Sequence, residues 1–103
     1  KLEKTKILLG MTLSSINTKN SSEFNLRSGI RGILVKKVDI NGPAAERGIR
    51  PGDVIVEINQ KPVETLVQLE NTVNQVKKLG RKTVLLFIER SGNLRFVPIK
   101  ITE

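Results

Sequence analysis

Few residue types in this chain could make or break a covalent bond. Its 103 residues include neither cysteine nor histidine. That removes a thiolate nucleophile, a disulfide, a Ser-His-Asp triad and any metal site built on Cys or His. A Ser-Lys dyad is all that stays formally open, because both residues are plentiful. No serine sits in a strained, Gly-flanked elbow, however, and Ser91-Gly92 reads as a hairpin tip. The chain is expected to hold no catalytic residue, no metal and no cofactor, so whatever it does with a partner is non-covalent.

Charge is the second chemical feature. Eighteen Lys and Arg against ten Asp and Glu give a formal net charge of +8. Clustered cations would suggest phosphate binding. Here they are scattered as Lys4 and Lys6, Lys36-Lys37, Arg47 and Arg50, Lys77-Lys78 with Arg81-Lys82, then Arg90, Arg95 and Lys100. Three Phe and no Tyr or Trp leave little to stack on bases. No nucleic-acid partner is expected, and the charge reads as a solvated surface. It permits contact with anionic membrane headgroups without arguing for it.

The elements that would position a binding site are organised around Gly42 to Val63. Pro43 suits the first position of a short helix, Ala44 and Ala45 keep that helix slim, and Gly48 suits the left-handed residue that closes it. Pro51-Gly52-Asp53 is a tight turn, Val54 to Ile58 a β-branched strand, and Gln60-Lys61 the turn out of it. One domain is the sensible count for this length, with 38% hydrophobic and 27% charged residues and no apolar run long enough to cross a bilayer. The start at Lys1, without Met or an apolar signal region, reads as a processed chain or, in preference, a domain cut from a longer protein, with residues 1–6 a linker remnant.

Gly42-Pro43-Ala44-Ala45, Gly48-Ile49, Pro51-Gly52-Asp53-Val54-Ile55 and Asn59-Gln60-Lys61-Pro62-Val63 resemble the central signature of PDZ domains, and more narrowly those of the HtrA/Deg serine endoproteases. Val84 to Arg90 and Arg95-Phe96-Val97 resemble the last strand pair of the second, C-terminal PDZ domain of the two-PDZ members, so the likeness covers nearly the whole chain. Gln60 departs from it, because the family usually carries Gly there and Gln is less comfortable at a positive φ.

The resemblance implies a site. On its own, Ile7 to Leu13 reads as a buried edge strand whose Gly10 tolerates a bulge or a close backbone approach. By the resemblance, Leu8-Leu9-Gly10-Met11 is the loop that binds a terminal carboxylate. Convergent backbone N–H groups would form a nest there, with Leu9 and Met11 lining a pocket for an apolar side chain. Thr12-Leu13-Ser14 would continue as the exposed edge on which a peptide strand pairs. Lys4 and Lys6 would either attract the carboxylate or stay in solvent.

The rest of the chain reads from periodicity and punctuation. Ser15 to Gly29 is polar, with one helical turn expected between Ser22 and Gly29 and with Phe24 or Leu26 pinning it to the body. Its thinness favours the second-domain assignment. In Gly32 to Ile40 the apolar parity switches between Val35 and Val38, which predicts a bulge at Lys36-Lys37 that keeps Ile33, Val35, Val38 and Ile40 on the core. Thr65 and Gln68 have capping-box spacing, and Leu66, Leu69, Val73 and Val76 recur at helical spacing before Lys77-Lys78 and Gly80. By resemblance this helix is the second wall of a peptide groove. Leu69, Thr72, Val73 and Val76 are its candidate residues, and core packing is an equal reading for Leu69, Val73 and Val76. Val84 to Ile88 should be a central strand, Ser91-Gly92-Asn93 a turn, and Pro98 should confine the last strand to an edge.

The expected fold is thus α+β and PDZ-like: a small, curved antiparallel sheet or partial barrel of five to six strands, capped by one long and one short helix. The function implied by resemblance is a non-catalytic peptide-binding module of a periplasmic HtrA/Deg-type protease. Its partners would be C-termini or extended apolar segments of unfolded proteins, together with the protease and first PDZ domains of the parent oligomer. Two alternatives stand beside it. One is an inter-subunit docking element with no free-peptide ligand. The other is a PDZ module of an intramembrane metalloprotease or a secretion component.

Overall fold

Tight turns at the Gly- and Pro-marked positions bend one antiparallel sheet around a single long helix. The computed structural model describes residues 4–101. In chain order the elements are β1 (Thr5–Leu8), β2 (Met11–Ser15), α1 (Thr18–Glu23), β3 (Ile33–Val38), α2 (Pro43–Glu46), β4 (Val54–Ile58), β5 (Lys61–Pro62), α3 (Leu66–Lys78), β6 (Thr83–Arg90) and β7 (Asn93–Lys100). The sheet runs β1-β2-β3-β4-β6-β7, with the two-residue β5 paired to β4.

This is the expected α+β, PDZ-like architecture, with small additions. The sheet has seven strands rather than five or six, the surplus coming from β5 and from β1. Part of the stretch expected as linker is therefore strand, since Thr5 and Lys6 pair with Ser14 and Leu13; residues 1–3 lie outside the described residues. A second short helix is also present. α1 begins at Thr18 rather than Ser22, because Asn17 and Asn20 form a reciprocal capping box ahead of it. Phe24 and Leu26 do pin the segment, packing on the small cluster Ile30, Leu34 and Val54.

Local chemistry sets most boundaries. α2 starts with Pro43 at its first position, and the Gly48 and Ile49 N–H groups donate to the Ala45 and Ala44 carbonyls, a Schellman closure with Gly48 at φ +80°. The Asp53 N–H donates to the Arg50 carbonyl across Pro51-Gly52. Thr65 and Gln68 cap α3 reciprocally, and Lys77 and Lys78 lie in its last turn. The register places Leu13 opposite Val35 and Thr12 opposite Lys37, so Lys36 is the bulged residue. The bulge keeps Ile33 and Val35 buried and Val38 against the core, but β3 ends before Ile40, which is exposed.

The core lies between the concave face of the sheet and α3, and includes Met11, Leu13, Ile55, Leu69, Leu86 and Ile88. On β6 the alternate apolar residues Val84, Leu86 and Ile88 are buried, as is Glu89; Leu85 and Phe87 are half-covered, Phe87 stacking on Phe96 at 4.4 Å. The last strand is an edge, as Pro98 requires.

Candidate functional site

The first hairpin carries the residues singled out in the sequence. Leu8 pairs with Met11 across a two-residue turn, Leu9-Gly10, whose φ values are +55° and +79°. Two positive φ angles in a two-residue loop are the hairpin geometry that follows the natural strand twist. Gly10 is needed twice over. Its φ is left-handed, and a Cβ there would come 3.1 Å from Pro43 Cδ and 3.3 Å from Gly42 Cα. The Asp39 N–H donates to the Gly10 carbonyl at 2.8 Å. The start of α2 is thus packed directly on this turn, which explains why the Gly42-Pro43 signature and the Leu9-Gly10 turn belong together.

Leu9 and Met11 point into the core instead of lining an open pocket, and Leu8 is half-buried against it. Along β2, Leu13 and Ser14 are fully buried and Thr12 is half-buried. The Ser14 hydroxyl donates to the Ser15 carbonyl and accepts from Asn20 Nδ2. Thr12-Leu13-Ser14 does not form a free edge. β3 pairs on one side of it and β1 on the other, in the register Lys6 opposite Leu13 and Ile7 opposite Thr12.

On α3, Leu69, Val73 and Val76 all lie in the core, so of their two readings the packing one describes their position. Their spacing puts them on one stripe of the helix, and that stripe covers the sheet. Thr72 lies beside them, half-exposed, with its hydroxyl donating to the Gln68 carbonyl at 2.9 Å. The residue that does reach towards the first hairpin is Glu70, whose Oε2 is 2.9 Å from Lys6 Nζ. The sequence reading left Glu70 out because an acid on a helix face carries no pattern of its own. Its partner Lys6 fell in the stretch expected to be a linker remnant, so nothing pointed to the pair.

Two arginine–carboxylate pairs tie the fold together, and one of them braces the signature. Arg90 donates from Nε and Nη2 to the two oxygens of buried Asp53 at 2.7 and 2.8 Å, and its Nη2 also reaches the Gly48 carbonyl. Arg27 forks onto Glu89 at 2.7 and 3.0 Å. Both guanidinium pKa values are raised, in each case first by the hydrogen bond to the carboxylate. Among the described residues no group of three or more Asp or Glu could hold a metal ion. What the arrangement can do chemically is hold an extended backbone by a strand ladder beside an acidic helix position.

The comparisons agree with this geometry. The family model described as the PDZ domain matches residues 1–89. A probable periplasmic serine endoprotease, DegP-like, from Bartonella henselae is 43% identical over 70 residues, covering 68% of this chain and 14% of that protein. Its counterpart from Chlamydia trachomatis is 31% identical over 96 residues, 92% of this chain and 18% of that protein. Among solved structures, the HtrA3 PDZ domain bound to a phage-derived ligand (FGRWV) superposes with a TM-score of 0.74 at 26% identity, over 97% of this chain and 88% of that one. The chain therefore spans 14–18% of the length of these two DegP-like relatives. It belongs to the PDZ domain family, in kinship with the DegP-like periplasmic serine endoproteases.

Proposed function

We propose that this chain is the second, C-terminal PDZ domain of a periplasmic HtrA/Deg-type serine endoprotease and that it is a non-catalytic module for apolar C-termini or extended segments of unfolded proteins. The observation that carries this reading is the seating of an extended strand, β1, antiparallel to β2 and beside α3. A cleft that holds one extended segment by a backbone ladder suits another of the same shape. In this reading the Leu8-Leu9-Gly10-Met11 turn receives the ligand's end, Thr12-Leu13-Ser14 supplies the ladder, and Thr72 stands at the helix wall. Leu69, Val73 and Val76 act from beneath as its floor.

The test is fluorescence anisotropy of the domain with labelled peptides ending in Val, Leu, Phe or Ala, each with a free and an amidated C-terminus. Micromolar binding that amidation abolishes supports the reading. Absence of binding to every peptide, with β1 displaced as well as in place, turns it down in favour of the second reading, a docking element that meets the protease or first PDZ domain of a neighbouring subunit. That alternative draws on one observation, the occupied outer side of β2.

A further inference from the structure

From this geometry we infer that β1 is a built-in stand-in for the ligand. Thr5–Leu8 keeps the β2–α3 cleft closed, and the strand it gives way to carries a basic residue two positions before an apolar end. This inference rests on the peptide-binding reading above, and it specifies both the ligand chemistry and the regulation of that same site.

Direction and side-chain placement carry the first part. β1 runs antiparallel to β2 with Leu8 at the Met11 end and Thr5 at the Ser14 end. A peptide entering with its C-terminus towards the Leu9-Gly10 turn would run the same way and use the same β2 hydrogen-bonding groups. Both strands cannot occupy that side of β2 at once. Side chains alternate along a strand, so Lys6 and Leu8 share one face and Thr5 and Ile7 the other. On the first face Leu8 packs against the core and Lys6 meets Glu70 at 2.9 Å, while Ile7 is exposed to water. The cleft thus reads two positions, an apolar one over the core and a cationic one at Glu70.

Balance of forces carries the second part. β1 is a four-residue edge strand paired on one side only, and three of its four residues are exposed, so little buried apolar surface holds it in place. The ion pair is half-exposed and adds little. Leu9, a non-Gly residue at φ +55°, weakens closure further, because that conformation disfavours the closed turn. The strand is a tethered competitor: its high effective concentration multiplies the Kd of any peptide in solution by the reciprocal of the fraction of time the cleft is open.

The absence of cysteine allows a reversible lock. Ile7 and Thr12 are directly opposite, and Cβ atoms of such pairs are about 4.5–5.5 Å apart, close to disulfide range. In the double variant Ile7→Cys/Thr12→Cys, oxidation fastens β1 to β2 and reduction frees it. A second variant, Lys6→Pro, removes a ladder N–H and the Glu70 partner together. The probe is a fluorescein-labelled peptide ending Thr-Lys-Ile-Leu with a free carboxylate.

The expected result is binding at least about tenfold weaker in the oxidised than in the reduced protein, and tighter in Lys6→Pro than in the unaltered chain. Equal binding in the oxidised and reduced forms overturns closure by β1 and leaves the peptide-binding reading intact. If nothing binds, Lys6→Pro included, while circular dichroism reports a folded domain, the peptide-binding reading itself falls. A peptide ending Thr-Glu-Ile-Leu should bind about threefold more weakly, with Glu70→Lys reversing the preference. An unchanged preference in Glu70→Lys overturns the assigned ligand chemistry.

Discussion

Asp53 is 1% exposed, and Arg90 meets it edge to edge, Nε to Oδ1 at 2.7 Å and Nη2 to Oδ2 at 2.8 Å. The same carboxylate accepts the Arg50 N–H at 3.0 Å, so one aspartate holds the turn after α2 to the end of β6. Asp53→Ala strands the Arg50 N–H and leaves the guanidinium without its carboxylate, holding only the Gly48 carbonyl. We expect a loss of about 2–3 kcal/mol in urea unfolding, below the value for a fully buried pair because the Arg90 side chain is partly in water. The pH sign follows from the raised Arg90 pKa. Its contribution is fully present below the ordinary guanidinium value and is lost only as pH rises through the still higher folded value. Titrating Arg90 therefore contributes no stability change through the neutral range.

Gln60 is the departure from the family pattern, and the structure gives it the conformation that Gly would prefer. β4 and β5 are joined by Asn59-Gln60 with φ +51° and +68°. Asn59 is fixed across the sheet, its N–H donating to the Leu85 carbonyl and its Oδ1 accepting the Leu85 N–H. Gln60→Gly should therefore keep the turn, relieve the left-handed strain, and raise stability by about 0.5–1 kcal/mol after the added unfolded-state entropy. In a thermal melt this is a rise of roughly 3–6 °C.

Gly32 stands where β3 meets β4 most closely. At φ +146°, a Cβ would lie 2.3 Å from the Ile55 carbonyl oxygen, a contact only backbone movement could relieve. Gly32→Ala is expected to cost more than about 3 kcal/mol, read as loss of the folded baseline or a large fall in urea midpoint.

Leu69 and Thr72 lie one turn apart on α3, the first in the core and the second half-exposed. Leu69 is fully buried, and Leu69→Ala should destabilise by about 2–5 kcal/mol through the cavity it leaves. Thr72 only bonds back to Gln68 in its own helix, so Thr72→Ala should change stability by less than about 0.5 kcal/mol. Paired with the anisotropy assay, Thr72→Ala tests the groove without disturbing the fold.

Much of this protein is written locally. Pro43 and Gly48 bound α2, Thr65 with Gln68 starts α3, and the parity switch after Val35 marks the bulge at Lys36. Each is a preference of a few consecutive residues for one backbone conformation, so it is legible without neighbours. The sequence also carried the signal for α1, the Asn17–Asn20 cap. The helix behind that cap is polar almost all round, and without an apolar stripe its start went unseen.

Other features exist only once distant segments meet. That Ile40 falls outside the core depends on where β3 runs out of partners, not on its own type. Leu69, Val73 and Val76 face the sheet because α3 lies across it, which helical spacing alone leaves open. The placement of β1 is the clearest case. Backbone N–H and C=O groups are the same in every residue but proline, so no side-chain pattern along Thr5–Leu8 announces that this strand will fill a free edge. The Gly-, Pro- and cap-marked turns are what the sequence by itself determined. The tertiary structure alone decided that Thr5–Leu8 closes the β2–α3 cleft and that Lys6 meets Glu70.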